Sequence, residues 1–249
     1  MNKVSKLFNN RSKNYNKIYT QVNPKKLLHQ EKRLRAEVTE DLVLSLLDAS
    51  KKEIVVDVGC GMGNLLANIK SRGISAELHG YDISYEMISL AEENKQEGIN
   101  FELGSIEDIH FKANIVTSLG VAGYQDDQIQ FIENLSNIVD KEGFLIFSVA
   151  NGDSFLRGLR RLLSKLHSLI VRRSKGVEFL ALKEKQVEYA LINNGFNLEK
   201  KIYTTYGLGL FSSSIECFID RLLFKYFKYK NISKYLSLSV IYVYKKISK

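Results

Sequence analysis

Short runs of consecutive apolar residues alternate along the chain with segments in which apolar residues recur every three or four positions. Runs of this length predict strands that are buried on both faces of a sheet, and the recurring pattern predicts amphipathic helices. The runs that predict strands are Ile54–Val58, Ala76–Tyr81, Ile99–Leu103, Asn114–Ser118, Phe144–Val149, Leu198–Thr204 and Ser239–Tyr244. Strands that alternate with helices in this way are typical of an α/β fold.

The first predicted strand leads into a loop that has glycines at alternate positions, Gly59, Gly61 and Gly63. A helix is predicted to follow, because apolar residues recur at helical spacing over Leu65–Ile69. Glycine permits unusual backbone dihedral angles and lets a ligand approach the main chain. We expect the N–H groups of the loop and the helix N-terminus to face an anion or a polar group, as in nucleotide-type cofactor loops.

The spacing of the glycines and two nearby acids indicate which cofactor this is. The dinucleotide fingerprint Gly-x-Gly-x-x-Gly requires a glycine where this chain has Asn64. Asp57, inside the end of the first strand, would repel a pyrophosphate and attract an ammonium group. Asp82 ends the second strand, where a carboxylate can accept both hydroxyls of a ribose. The pattern therefore favours an adenosine with a zwitterionic tail over a dinucleotide.

With these features the chain resembles the class I S-adenosylmethionine-dependent methyltransferases, over roughly Glu53–Ala150. The resemblance implies a doubly wound, mostly parallel sheet of seven strands with an antiparallel last strand, and S-adenosylmethionine as cofactor. It places the methyltransferase domain at residues 51–249. It also implies cofactor contacts: Asp57, Gly59, Cys60 and Gly61 at the methionine part, Asp82 at the ribose, Ile83 and Met87 beside the adenine, and Ser105, Ile106 and Leu119 in later loops.

The chain departs from the family pattern at two places. Ser105 replaces the acid that usually contacts the adenine, although its hydroxyl can accept a hydrogen bond from the amino group. Gly123 and Tyr124 stand where similar small-molecule methyltransferases often have Glu-His. Tyr124 is therefore our candidate catalytic residue, which would orient or deprotonate the acceptor. Without a strong base, transfer to an oxygen of a small-molecule or lipid-like acceptor is favoured.

The resemblance also predicts a helical cap over the cofactor, formed by residues 1–50. Tyr15 or Tyr19 would close the site or bind the methionine carboxylate, for which Arg33 and Arg35 are alternatives. Alternatively, each of these four side chains only packs against the protein or is exposed to solvent.

Charge is distributed unevenly along the chain. Residues 1–35 carry a net charge of +9, residues 36–150 carry −13 and residues 151–249 carry +12. Basic amphipathic helical insertions are predicted near residues 152–175 and 207–235, with Arg157 on the polar face of the first. Such helices can lie on an anionic membrane surface. Alternatively, their apolar faces pack over the substrate cleft. The basic flanks also favour an anionic acceptor.

Other residue types exclude several classes of function. Two cysteines and four scattered histidines give no disulfide framework and no metal-ligand spacing, so we expect no metal site and a cytoplasmic location, or a peripheral one at the inner membrane surface. The single proline, Pro24, excludes the Pro-Pro motif of enzymes that methylate base amino groups, which makes a nucleic acid substrate less favoured. Two alternatives stay open: an RNA methyltransferase that uses the basic flanks, and a non-catalytic regulatory protein that binds S-adenosylmethionine.

Overall fold

A computed structural model describes residues 4–10, 12, 27–48, 50–170, 180–207 and 214–247, and describes only the backbone of residues 28 and 163–170. Tyr15 and Tyr19 lie outside these ranges. The first helix, α1, includes residues 4–10. The other helices are α2 (Leu27–Leu46), α3 (Asn64–Ser71), α4 (Tyr85–Glu93), α5 (Gln128–Asn137), α6 (Phe155–Ile170), α7 (Glu184–Asn193), α8 (Ser214–Phe227) and α9 (Ser233–Leu236). The strands are β1 (Ile54–Val58), β2 (Glu77–Asp82), β3 (Ile99–Leu103), β4 (Ala113–Leu119), β5 (Val139–Ala150), β6 (Phe196–Thr204) and β7 (Ser239–Lys246).

The seven strands form one sheet in the order β3-β2-β1-β4-β5-β7-β6. Strand β7 is antiparallel to β5 and β6, and the other neighbouring pairs are parallel. The predicted α/β fold is therefore confirmed, including the antiparallel last strand. The chain reverses its direction of winding between β1 and β4, and ligands of such sheets bind in the crevice at the carboxyl ends of the strands at this point.

Strand β5 begins at Val139, five residues before the predicted start at Phe144. Its first residues extend the pairing with β4, where Val139 lies opposite Ala113. Pairing to the neighbouring strand, which the local apolar pattern does not contain, thus sets this boundary.

The two central strands β1 and β4 are largely buried and mostly apolar, with polar residues at a few positions. Two of these, Asp57 and Thr117, lie opposite each other in the register of the two strands. A buried polar pair at the carboxyl end of a parallel sheet marks the place where a ligand is expected.

Helix α8 does not bury its apolar residues as the packing alternative required. Phe218, Ile219 and Leu222 are 68%, 47% and 43% exposed. The side of α8 that faces the protein instead includes Asp220 and Phe224. The prediction that the apolar side of this helix packs over the cleft is therefore wrong for Phe218, Ile219 and Leu222.

Helix α6 also differs from its prediction. Phe155 and Leu162 are exposed, whereas the guanidinium of Arg157 turns inward and donates a hydrogen bond to the carbonyl of Leu238. The prediction that Arg157 lies on a solvated face is wrong, because a carbonyl just before β7 supplies it with an acceptor. No helix in the described part of the chain is long and apolar enough to cross a bilayer.

Candidate cofactor and acceptor site

The three loop glycines are required for three different reasons. All have positive φ, of 77° at Gly59, 56° at Gly61 and 74° at Gly63. A Cβ at Gly59 would overlap Val121, and one at Gly63 would overlap the ring of Phe101. A Cβ at Gly61 would meet no atom within 4 Å. Gly59 and Gly63 therefore allow the protein to pack, and only Gly61 leaves open space in which a ligand can approach the main chain.

The N–H groups of the loop bind the protein itself. Those of Gly59 and Cys60 donate to the Tyr81 carbonyl at 2.7 and 3.0 Å. The N–H of Gly61 donates to Asp82 Oδ2 at 2.9 Å. The expectation that the loop N–H groups face an anion or a polar group of a ligand is wrong for these three, because the neighbouring strand β2 accepts their hydrogen bonds. This arrangement leaves no cradle for a pyrophosphate at these three residues.

Asp82 lies at the carboxyl end of β2, and both of its carboxylate oxygens accept hydrogen bonds from backbone N–H groups. Its Oδ1 accepts the N–H of Ser84 at 2.8 Å while its Oδ2 accepts that of Gly61. Burial raises the pKa of Asp82, and the two backbone hydrogen bonds act in the opposite direction. Each carboxylate oxygen has a second lone pair, so Asp82 can still accept hydroxyl groups from a ribose.

Asp57 is buried beneath the loop, where Thr117 Oγ1 donates to its Oδ1 at 2.7 Å. Burial raises the pKa of Asp57 to about 7; the Thr117 hydrogen bond lowers it and the charge of Asp82 raises it further. The hydrogen-bond donors to the two acids are the neutral groups of Thr117, Gly61 and Ser84. Two buried carboxylates with neutral partners favour a ligand that carries positive charge.

A cavity of about 350 Å³ opens between the carboxyl ends of β2 and β3 and helix α1. Its lining consists of Ser5, Asn9, Ile83, Tyr85, Leu103, Gly104, Ser105 and Asp108. Ile83 and Ser105, predicted beside the adenine, thus share one cavity. The Ser105 hydroxyl donates to Asp108 Oδ2 at 3.0 Å, which leaves its oxygen able to accept.

The remaining predicted contacts do not line this cavity. Met87 and Ile106 are buried, and Leu119 is half-buried at the end of β4. Cys60 is also buried, and burial together with the charges of Asp57 and Asp82 raises the pKa of its thiol well above the ordinary value. A protonated thiol at this place agrees with a small packing residue. The cofactor contacts of these residues stay predictions.

Helix α1 covers the cavity through side chains that the sequence did not single out. Ser5 Oγ donates to the Ile83 carbonyl at 2.9 Å, and Ser84 Oγ donates to Asn9 Oδ1 at 2.6 Å. The ring of Phe8 packs edge-on against Tyr124, with centroids 5.1 Å apart. These contacts join residues more than seventy positions apart, so no local pattern announces them. Thr117 did have a signal, as a polar residue in an apolar strand.

Of the two arginines predicted on α2, only Arg35 reaches the carboxyl edge of the sheet. Its Nη1 and Nη2 lie 3.0 Å from the position that a Cβ would take at Gly120. Arg33 pairs instead with Glu37 on the same helix, at 3.8 Å.

The residues present fit S-adenosylmethionine. Its positive charge matches Asp57, and Asp82 has lone pairs for its ribose hydroxyls. The open side of Gly61 leaves room for its chain, and the cavity beside Ile83 has room for an adenine. Among the described residues, no three His, Cys, Asp or Glu side chains form a group that could hold a metal ion.

Comparison with known proteins also indicates a methyltransferase. Residues 49–205 match a family model described as a methyltransferase domain. A trans-aconitate 2-methyltransferase of Mycolicibacterium gilvum is 35% identical over 66 residues, which are 26% of this chain and 25% of that protein. The chain thus matches about a quarter of the length of this curated relative.

Two solved structures share the fold over almost the whole chain. The magnesium protoporphyrin IX methyltransferase of Synechocystis PCC 6803, with bound S-adenosylhomocysteine, has a TM-score of 0.67 and 22% identity, covering 98% of this chain and 97% of its own. A possible histamine N-methyltransferase of Thermotoga maritima has a TM-score of 0.58 and 16% identity, covering 96% and 98%.

Proposed function

Because this chain belongs to the methyltransferase domain family, whose model matches more than half of it, we propose that it transfers a methyl group from S-adenosylmethionine to an oxygen of a small molecule. The family predicted from the sequence is confirmed by this match. When bound, S-adenosylmethionine supplies an electrophilic methyl group on its sulfonium sulfur. The protein binds the cofactor, excludes water from it and holds the acceptor in line.

The observation that carries the proposal is the arrangement of Asp57, Gly61 and Asp82. Asp82 is held by the N–H of Gly61 with lone pairs left for the ribose, and Gly61 is open on the side where the cofactor would lie. Asp57 places a second carboxylate under the same loop. Helix α1 then closes the adenine cavity over Ile83.

A small molecule is the acceptor that the relatives support. One is named for magnesium protoporphyrin IX and another for trans-aconitate. Tyr124 lies in a short helical turn just beyond β4, half-buried against Phe8, from where its hydroxyl would orient the acceptor. Positioning alone can supply much of the rate, because effective molarities in well-oriented systems reach roughly 10⁵–10⁸ M.

Calorimetric titration with S-adenosylhomocysteine tests the cofactor assignment. Wild-type protein should bind it, and Asp82→Asn should bind it at least about 10-fold more weakly, because a hydrogen bond to a charged group contributes about 1.5–3 kcal/mol. Asp126→Asn, an exposed acid on the loop after β4, serves as the control and should bind normally. A folded wild-type protein that does not bind would refute the proposal.

Two other measurements, methylation of a small-molecule extract and binding of RNA, separate the two alternatives. A regulatory protein would bind S-adenosylhomocysteine but methylate no compound in a small-molecule extract. An RNA methyltransferase would bind RNA with an affinity that falls steeply as salt is added, because bound cations are released from the phosphates.

The exposed apolar side of α8 supports a further partner, an anionic membrane surface. Phe218, Ile219 and Leu222 are exposed beside the basic residues Arg221 and Lys225, which are exposed as well. An amphipathic helix with this composition buries its apolar side in lipid while its cations meet anionic headgroups. A lipid-like acceptor would be reached from such a surface.

Vesicle sedimentation tests this partner. Wild-type protein should sediment with vesicles of phosphatidylserine and phosphatidylcholine, and the double variant Phe218→Ser/Leu222→Ser should remain in solution. Tyr189→Ser removes an exposed aromatic ring from α7 and should behave as wild type. Wild-type protein that remains in solution with these vesicles would refute membrane docking without affecting the cofactor assignment.

A further inference from the structure

Three charged side chains meet under α2 at the carboxyl edge of the sheet. Arg35 Nη1 lies 3.8 Å from Glu31 Oε1, and this oxygen also accepts the hydroxyl of Ser239 at 2.9 Å. Arg157 of α6 donates to the Leu238 carbonyl, and the charge of Glu31 acts on it as well. Glu31 and Arg157 are thus held by the adjacent residues Ser239 and Leu238 at the start of β7, and Arg35 lies beside Glu31.

This group is incomplete without a further anion. The Nε atoms of Arg35 and Arg157 are both buried, and neither has a hydrogen-bond partner in the described part of the chain. The side chains of Arg35 and Glu31 are only 12% and 15% exposed. The charges of Arg35, Glu31 and Arg157 sum to +1, and two N–H donors among them have no acceptor in the described part of the chain. Such a charge is unfavourable unless a partner neutralises it.

A nearby acid does not fill this role. The oxygens of Asp220 accept hydrogen bonds from the N–H groups of Tyr206 and Gly207 and from the side chain of Gln30. Burial raises the pKa of Asp220, and the charge of Glu31 adds to this effect. The three hydrogen bonds act in the opposite direction and engage both oxygens of Asp220, and among the described residues none of them comes from Arg35 or Arg157.

The position of the group in the sheet indicates what binds to it. Glu31 and Arg157 lie beside Ser239 and Leu238 at the start of β7. Strand β7 is three strands from β1, which corresponds to roughly 14 Å at a spacing of about 4.8 Å. Most predicted cofactor contacts lie on the other side, on or just after β1, β2 and β3, and Leu119 lies at the end of β4. Arg35, above Gly120 at the end of β4, lies between the two regions.

We propose that Arg35, Glu31 and Arg157 form an acceptor subsite that binds a carboxylate of a small di- or tricarboxylate. This proposal rests on the proposed function, whose acceptor it makes more specific. A carboxylate matches the planar donor fork of arginine and would neutralise the positive charge that remains among these side chains. A second carboxylate of the same molecule would receive the methyl group. It is already deprotonated at neutral pH, so such an acceptor needs no strong base, in agreement with Tyr124 in place of the usual His.

Calorimetry on protein saturated with S-adenosylhomocysteine tests the subsite, with citrate and succinate as ligands. Wild-type protein should bind at least one of them and should not bind the neutral ester dimethyl succinate. Arg157→Gln and Arg35→Gln should each weaken this binding at least 10-fold. Arg161→Gln, on the next turn of α6 and exposed, is the matched control and should change the affinity less than 2-fold. Melting curves establish whether each variant is folded. If Arg157→Gln is not folded, the result for Arg35→Gln decides the test.

The arginines could instead bind the methionine carboxylate of the cofactor. A second titration separates this case from binding of an acceptor carboxylate. Arg157→Gln should bind S-adenosylhomocysteine and 5′-methylthioadenosine, which lacks the amino-acid part, as wild type does. If Arg157→Gln weakens only S-adenosylhomocysteine, the group serves the cofactor and the proposal is overturned. Wild-type protein that binds neither citrate nor succinate also overturns it. If wild-type protein binds neither adenosine compound, the proposed function itself has failed.

Discussion

The backbone N–H of Gly61 donates to Oδ2 of Asp82 at 2.9 Å, which joins the glycine loop after β1 to the end of β2. Through this hydrogen bond the loop and the acid form one structure before any ligand arrives. The open side of Gly61 and the free lone pairs of Asp82 then face the same crevice. A preformed site of this kind spares the cofactor the ordering of a flexible loop on binding.

Gly61→Ala should weaken binding of S-adenosylhomocysteine strongly while it destabilises the protein little. The added Cβ meets no protein atom within 4 Å, so the folded state pays only for φ of 56°, about 1–2 kcal/mol. The methyl group would instead occupy space predicted for the cofactor. We expect at least 10-fold weaker binding by calorimetry. Wild-type affinity in this variant would contradict the placement of the cofactor at this loop.

Gly63→Ala is the matched comparison, and it should mainly lower the stability of the protein. Its Cβ would overlap the ring of Phe101, a buried residue of β3, and φ at Gly63 is also positive. Overlap in a packed core costs about 1–3 kcal/mol in addition to the backbone strain. Thermal unfolding should therefore show a lower Tm for Gly63→Ala than for Gly61→Ala. Equal melting temperatures would contradict the different packing of the two positions.

Asp57→Asn should stabilise the unliganded protein above neutral pH. The folded-state pKa of about 7 lies above the ordinary value of 3.8, so the folded protein binds the proton more tightly than the unfolded chain. The contribution of Asp57 to the free energy of unfolding is thus fully present below pH 3.8 and is lost as pH rises through 7. Its upper limit is roughly 4 kcal/mol. Asparagine does not titrate, so the gain in Tm should grow between pH 5 and 8.

Binding provides the complementary measurement for Asp57. A cationic cofactor favours the ionised carboxylate, so wild-type affinity for S-adenosylhomocysteine, which keeps the ammonium group, should fall as pH drops below about 7. The affinity of Asp57→Asn should be lower at pH 8 and nearly independent of pH. A parallel decline in both proteins would show that another group causes the pH dependence. Thr117→Val, which removes the hydrogen bond that lowers this pKa, should move the wild-type profile to higher pH.

The sequence predicted the sheet and the cofactor loop because both are recorded in local patterns. An apolar run followed by spaced glycines specifies a strand and a turn, and Asp82 follows from its place at the end of the next strand. Side chains that act across the fold are not recorded in this way. Arg157 fits the polar face of an amphipathic helix, and only the carbonyl of Leu238, 81 residues later, turns it inward.

The same limit explains α8. Periodicity identified an amphipathic helix but cannot say which side meets the protein. Asp220 is held inside by the backbone N–H groups of Tyr206 and Gly207, and this fixes the rotation of the helix and leaves Phe218 outside. A buried acid with three hydrogen-bond donors thus overrides the apolar stripe.

Phe8→Ala should weaken binding of S-adenosylhomocysteine, although Phe8 does not line the adenine cavity. Its ring packs edge-on against Tyr124 and holds α1, whose residues Ser5 and Asn9 do line the cavity. An aromatic pair of this geometry contributes about 0.5–1.5 kcal/mol beyond its buried area, which corresponds to roughly 2- to 12-fold in affinity. Tyr124→Phe keeps the ring and removes only the hydroxyl, so it should bind the cofactor product as wild type does. If the two variants bind equally well, α1 is held by its hydrogen bonds to Ile83 and Ser84 instead, and Phe8 has no part in closing the site.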